Sequence, residues 1–245
     1  LLDANERVRT VGLDTSGRWW AITQPFENLM GLVVDRRPYG PYDAVINPKF
    51  SFDGSTFVAG VKWQGRWSVR TETDSVDLMG DTLYDTYLPT RSATPWWFHA
   101  NGDDRKLSTF DRSYRCVAIP QGVCFDPQGM VVAWTETRGP NTILLVNGAE
   151  RVTGDEILLG GVFADGEPVF AVRFGTRWSI FKGRTELATA LASVGGLTVN
   201  ALGNACGWVA SDGAGVQSLA CFGAEMAEPW TSLPTQSAQG LIISP

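Results

Sequence analysis

Two nine-residue stretches constrain this chain more than any other feature. VKWQGRWSV at Val61–Val69 and VRFGTRWSI at Val172–Ile180 match in residue type at most positions and stand 111 residues apart. One third of that offset is 37. Turn-forming residues recur at that interval, near Gly17, Gly54, Ser92, Gly129, Gly166, Asn204 and Gly240, with spacings of 37, 38, 37, 37, 38 and 36 residues. A fixed period in this range marks a repeat architecture. Within each period, short apolar runs are broken by Gly, Asn, Asp and Pro, as in SFDGSTFVAGVKWQGRW and GVCFDPQGMVVAW, which is the pattern of strands joined by tight turns.

A run of this length accommodates four strands of about five to seven residues, and a four-stranded antiparallel sheet stacked on copies of itself is a propeller blade. The expected fold is therefore all-β, a β-propeller of four-stranded antiparallel blades occupying residues 1–245 as a single domain. Seven phases favour seven blades, with six as the alternative, because PWTSLPTQSAQGLIISP supplies only about half a unit. That half unit leaves room for strands from the N terminus or from chain beyond this sequence. Helix signals are scarce: RTELATALASV at Arg184–Val194 has helix-forming composition over roughly three turns, but it serves equally as a connection between blades.

FDPQG at Phe125–Gly129, lying after GVC and before an apolar strand, resembles the Phe-x-Pro-Asp-Gly turn of the TolB-like, WD40-related bacterial propeller repeats. Gln128 stands where that turn has aspartate, while FDG at Phe52–Gly54 and FADG at Phe163–Gly166 keep parts of it. The resemblance implies architecture and binding, and it casts Asp126 and Asp165 as turn-capping residues. A weaker resemblance links LDTSGRWW at Leu13–Trp20 and SFDGSTF at Ser51–Phe57 to the Asp-box turns of sialidase-type propellers. That second family implies a secreted glycan-processing enzyme with carboxylates in a propeller channel; Glu136, Asp155, Asp165 and Asp212 are the acids that would have to converge.

Charge and cysteine usage exclude several function classes. With 26 acidic residues, 20 basic residues and a net charge of −6, the chain offers no broad basic surface, so nucleic acid is not an expected partner. The four cysteines lack the paired short spacings of a structural zinc site, and a single histidine supports no metal site; no metal and no cofactor are expected. No Gly-x-Ser-x-Gly elbow, phosphate-binding glycine-lysine loop or His-Glu-x-x-His motif occurs. Nor is there an uncharged apolar stretch long enough for a transmembrane helix. A hairpin turn centred on Gly213 and Ala214 places Cys206 opposite Cys221, where a disulfide can form. Cys116 and Cys124 suit either a second short loop or a pair of buried thiols. The compartment expected on this basis is extracellular, periplasmic or virion-associated.

Function is expected on the loops that join the second and third strands of each blade: Gln24–Asn28, Trp63–Arg66, Asn101–Asp104, Thr137–Asn141, Phe174–Arg177 and Asp212–Gly215. Trp63, Arg66 and Trp67 recur in type as Phe174, Arg177 and Trp178. Such a set can stack on a flat ligand and bind carboxylate or polar groups, or it can pack blade against blade. His99, beside Trp96 and Trp97 and followed by Asn101–Asp104, joins the candidate ligand-binding residues; with Asp103 or Asp104 it has the makings of an acid/base pair. The expected function is a non-catalytic propeller module or scaffold recognising a protein or glycan partner within a larger assembly. A structural component of an envelope or virion is a related alternative.

Overall fold

Among the described residues, each 37-residue period folds as one antiparallel sheet. The computed structural model describes residues 7–14 and 17–223. The first sheet runs β1 (Arg7–Leu13), β2 (Trp19–Phe26), β3 (Leu29–Val34), β4 (Arg37–Tyr42). In the second, the first strand is interrupted as β5 (Ala44–Val45) and β6 (Lys49–Phe50), which both pair with β7 (Phe57–Trp63); β8 (Arg66–Thr71) and β9 (Ser75–Leu78) follow. The third comprises β10 (Thr82–Tyr87), β11 (Trp96–Asn101), β12 (Asp104–Ser108) and β13 (Ser113–Cys116). The fourth comprises β14 (Gln121–Phe125), β15 (Val132–Arg138), β16 (Asn141–Val146) and β17 (Ala149–Gly154). The fifth comprises β18 (Glu156–Val162), β19 (Pro168–Phe174), β20 (Arg177–Lys182) and β21 (Thr185–Leu191). The sixth contains β22 (Ser193–Val199), β23 (Ala205–Ser211) and β24 (Gln217–Gly223).

Six sheets are thus present among the described residues, and the seventh phase expected near Gly240 lies outside them. No helix occurs among the described residues; Arg184–Val194, with its helix-forming composition, forms the turn into β21, that strand and the start of β22. Pairing of Trp178, Ile180, Phe181 and Lys182 with β21 outweighs local propensity, as tertiary contacts commonly do.

The period is written in the backbone as well as in the sequence. The turn between the first two strands of each sheet is closed by the same bond, in which the amide of residue i+3 donates to the carbonyl of residue i: Gly17 to Asp14, Gly54 to Ser51, Ser92 to Pro89, Gly129 to Asp126, Gly166 to Phe163 and Gly203 to Asn200. Five of the six donors are glycines at positive φ, between 66° and 86°, a conformation that costs glycine nothing. The 37-residue spacing is therefore the spacing of a turn that needs glycine.

The chain divides into two units, Leu1–Arg115 and Cys116–Pro245. In the first unit, Leu32, Val34, Tyr39 and Tyr42 of the first sheet are buried against Phe57, Ala59 and Val61 of the second. Val58, Val69 and Leu78 of the second are buried against Leu83 and Trp97 of the third. In the second unit, Ala133, Leu144 and Val146 of the fourth sheet meet Ile157, Phe170 and Val172 of the fifth. Val169, Ala171, Trp178 and Ile180 meet Cys206, Trp208 and Ala210 of the sixth. Both faces of an interior sheet are consequently apolar, which explains runs such as FVAGV and PVFAV in place of strict alternation. Sheets also approach closely where a side chain is missing: a Cβ on Gly60 would lie 2.5 Å from Leu83, and one on Gly161, at φ 149°, would lie 2.7 Å from Val199.

The Cys206–Cys221 pairing is corrected by the register. Ser211 pairs with Gln217, so the loop holds residues 212–216 and not a two-residue turn; Cys206 then faces Phe222 while Cys221 faces Gly207. A one-residue slip sends the two side chains to opposite faces of the sheet. All four cysteines lie among the described residues, and none is joined in a disulfide. Burial pushes Cys124 up to about 11 and, with Cys221 nearby, Cys206 up to about 12, so neither is a nucleophilic thiolate near neutral pH.

Candidate functional site

The repeated Trp/Phe–Arg–Trp motif divides by position. Both copies are two-residue hairpins, with Trp63 paired to Arg66 around Gln64–Gly65 and Phe174 paired to Arg177 around Gly175–Thr176. Because side chains alternate across a strand, the first aromatic of each copy points away from the core, Trp63 being 42% exposed and Phe174 61%. The second is directed inward: Trp178 is buried and Trp67 half-buried. Each inward ring lies opposite a cation, Lys62 with Nζ 5.7 Å from the Trp67 centroid and Arg173 with Cζ 5.8 Å from that of Trp178. Trp67 and Trp178 are therefore packing residues. Arg66 is exposed at its hairpin, and Arg177 is drawn back to donate to the Ala190 carbonyl at 3.1 Å.

One end of each copy is also clamped alike. The amide of Gly65 donates to Asp43 Oδ2 at 3.0 Å and that of Gly175 to Asp155 Oδ2 at 2.6 Å, so the acid that precedes each sheet's first strand caps the hairpin beside it. Asp155 is thereby a turn residue. Asp165 accepts from the Glu167 amide at 3.0 Å and Lys182 Nζ at 2.5 Å; Asp212 accepts from the amides of Ala214 and Val216; Asp126 accepts from that of Val131 at 2.7 Å. Asp155 and Asp165 bracket the seven-residue strand β18, which separates them by roughly 20 Å. That is beyond the roughly 5–10 Å of a glycosidase pair. Glu136, fully buried, accepts from Trp134 Nε1 at 3.0 Å, from the amides of Val117 and Ala118, and from Arg138 at 2.8 Å. Its oxygens are saturated.

His99 lies 9% exposed in β11. Its Nδ1 is 2.5 Å from Asp81 Oδ2 and its Nε2 is 2.8 Å from Ser108 Oγ, which is 2.9 Å from Ser113 Oγ. The hydrogen-bonded partner is Asp81, not the expected Asp103 or Asp104. The order carboxylate, imidazole, hydroxyl is that of a nucleophile triad. Ser108, however, is 5% exposed within the strand pairing of β11 and β12, where its Oγ cannot meet an incoming carbonyl.

A concave surface forms around Trp63. A groove of about 590 Å³ lies between the edge strand β4 and the second sheet, lined by residues that include Arg37, Tyr39, Tyr42, Trp63, Ser68 and Arg70. Tyr39 carries two guanidinium groups, Arg37 Cζ at 5.4 Å and Arg70 Cζ at 5.1 Å from its centroid. Burial raises the Tyr42 hydroxyl above its ordinary range, partly opposed by the positive charge of Arg70. Sequence reasoning found Trp63 but missed the other five: Arg37, Tyr39 and Tyr42 meet it only when successive sheets stack, and Ser68 and Arg70 carry no signal that separates them from other residues of β8. Phe26, not singled out by itself, lies in the Gln24–Asn28 loop expected to carry function. It lies 37 residues before Trp63, also ends the second strand of its sheet, and is 65% exposed.

At the Ser51–Phe57 turn, Asp53 is fully solvent-facing yet its carboxyl is drawn from 3.8 down to about 2, first by the Ser55 amide and then by Ser51 Oγ. A folded-state value below the unfolded one means that this contribution to stability is complete above about pH 4 and is lost as pH falls towards 2. An NMR titration of the Asp53 carboxyl should show a midpoint near 2, and Asp53→Asn should flatten the stability profile in that window. A midpoint at the ordinary value would sink this account of the turn.

No protein-family model and no curated protein sequence matches this chain. Among solved structures, a Dos1 propeller is similar with 11% identity and a TM-score of 0.51, over 94% of this chain and 71% of that one. A eukaryotic initiation factor is similar with 11% identity and a TM-score of 0.52, over 93% of this chain and 65% of that one. TolB from Acinetobacter baumannii aligns with 12% identity and a TM-score of 0.40, over 94% of this chain and 56% of that one. The chain spans less than two thirds of the length of the latter two. At this identity the likeness is one of fold, and the fold is the β-propeller expected from the repeat.

Proposed function

We propose that the chain is a binding or scaffold module, its two units acting as one propeller domain, and that it holds a protein partner through the hairpin end of its first unit. The observation that carries this reading is the pair Phe26 and Trp63. Two large aromatic side chains, at equivalent positions one period apart, are left in solvent at the tips of two-residue hairpins. Single exposed apolar residues are ordinary, but aromatic residues repeated at one phase of a scaffold supply large contact area at low entropic cost. The acids that an enzyme reading requires are already committed to turns and to the Glu136 clamp.

The test compares the wild-type chain with a Phe26→Ser, Trp63→Ser double variant by quantitative affinity capture from extracts of the source cells. Dissociation constants are then measured for each captured protein. Partner affinity is expected to fall by at least about thirtyfold, the effect of removing aromatic anchors at an interface. Unchanged affinity of every partner would remove this surface from consideration. Glycan array binding abolished by the same variant would instead identify a glycan as the partner.

A further inference from the structure

The groove beside β4 contains two guanidinium groups and, among its lining residues, no acid. Among the described residues, neither Arg37 nor Arg70 takes part in an ion pair. Nε of Arg70 is buried with no hydrogen-bond partner. Stacking on Tyr39 covers the face of a guanidinium but leaves its in-plane N–H groups to be satisfied elsewhere. Asp43 accepts from the Gly65 amide and Asp77 from Ser68 Oγ at 2.7 Å, and neither pairs with an arginine of the groove.

The contrast with the second unit is informative. Its cleft of about 580 Å³ is lined by Glu150, Arg151, Glu167 and Arg184, so opposite charges balance there, and Glu150 already pairs with Arg138. Of these two clefts, the first is the one lined by cations and no acid, in a chain whose net charge is −6. That overall charge disfavours a dense polyanion, whereas two forked guanidiniums suit one planar carboxylate. Pro38 and Pro41 in β4 lack amide protons, so an incoming strand cannot complete a ladder along this edge, and recognition falls to side chains.

Resting on the reading of the chain as a binding module, we propose that this groove is a recognition site for an acidic segment of the partner protein. A Glu or Asp carboxylate sits on the guanidiniums of Arg70 and Arg37, and a neighbouring apolar side chain lies against Trp63. The assignment adds a charge requirement that the exposed aromatics by themselves do not impose.

The experiment uses the whole chain and a set of short fluorescent peptides carrying Glu or Asp next to an aromatic or aliphatic residue, each matched with its Gln or Asn counterpart. Anisotropy is read for the wild type, Arg37→Gln, Arg70→Gln and Arg70→Lys, with a heparin fragment and inorganic phosphate as competitors. Acidic peptides are expected to bind, their amide counterparts at least about tenfold more weakly, and Arg70→Gln to lose about tenfold or more. Affinity should fall as salt rises. Equal binding of acid and amide peptides overturns the proposal, as does indifference to both arginine substitutions. Binding of heparin or phosphate with no peptide binding also overturns it. Should Arg70→Gln unfold, the exposed Arg37→Gln variant and the peptide pairs still decide. Phe26 lies outside the groove, so loss of partner capture in Phe26→Ser with no acidic-peptide binding defeats this inference alone. Peptide binding lost in the arginine variants, with every captured partner indifferent to Phe26→Ser, defeats the hairpin surface alone.

Discussion

Glu136→Ala is expected to cost about 3–5 kcal/mol of folding stability, the penalty for removing one member of a buried charged cluster. The side chain is fully buried, and its loss would strand the indole N–H of Trp134, two backbone amides at Val117 and Ala118, and one edge of the Arg138 guanidinium. For a chain of this size that corresponds to a fall in melting temperature of roughly 6–20 °C. Glu150→Ala is the informative control. Glu150 pairs with the same Arg138 but is 55% exposed, so its replacement should change stability by less than about 1 kcal/mol. Chemical denaturation of both variants checks the pair of expectations; similar costs would show that Glu136 is not the centre of the clamp.

His99→Ala should destabilise by about 2–4 kcal/mol, since it opens a cavity in the third sheet and leaves Asp81 and Ser108 without their shared partner. Asp81→Asn, which preserves shape and one hydrogen bond, should cost less. The same network bears on enzymology because its geometry matches a nucleophile triad. With Ser108 buried, a fluorophosphonate probe should leave it unlabelled in the folded chain; stoichiometric labelling at Ser108, abolished by His99→Ala, would make the network catalytic.

How much of this was legible beforehand depends on whether a feature is set locally or by neighbouring sheets. The turns at Gly17, Gly54, Gly129 and Gly166 were readable because positive φ selects glycine whatever the rest of the chain does. The six loops at which function was sought are the six hairpins between second and third strands. Asp126 and Asp165 cap turns, as their placement beside glycine implied. By contrast, the Cys206–Cys221 pairing failed on a single residue of loop length. Helix propensity in Arg184–Val194 yielded to strand pairing. The partner of His99 was misjudged because Asp81 lies 18 residues away in sequence but adjacent in the fold.

The candidate site shows the same division. Trp63 and Trp67 have similar sequence surroundings, yet one is a solvent-exposed tip and the other a packing residue, which alternation predicts only once the buried face is known. The arginine groove had no sequence signature at all, because Arg37 and Tyr39 come from one sheet and Trp63 and Arg70 from the next. By itself the amino-acid sequence determined the period, the turn positions and hence the repeated antiparallel sheets, since each rests on backbone conformations and short-range alternation. Which aromatics face solvent, which acids are consumed and where unpaired positive charge collects were decided by the stacking of sheets, because those properties belong to contacts between residues that the chain keeps tens of positions apart.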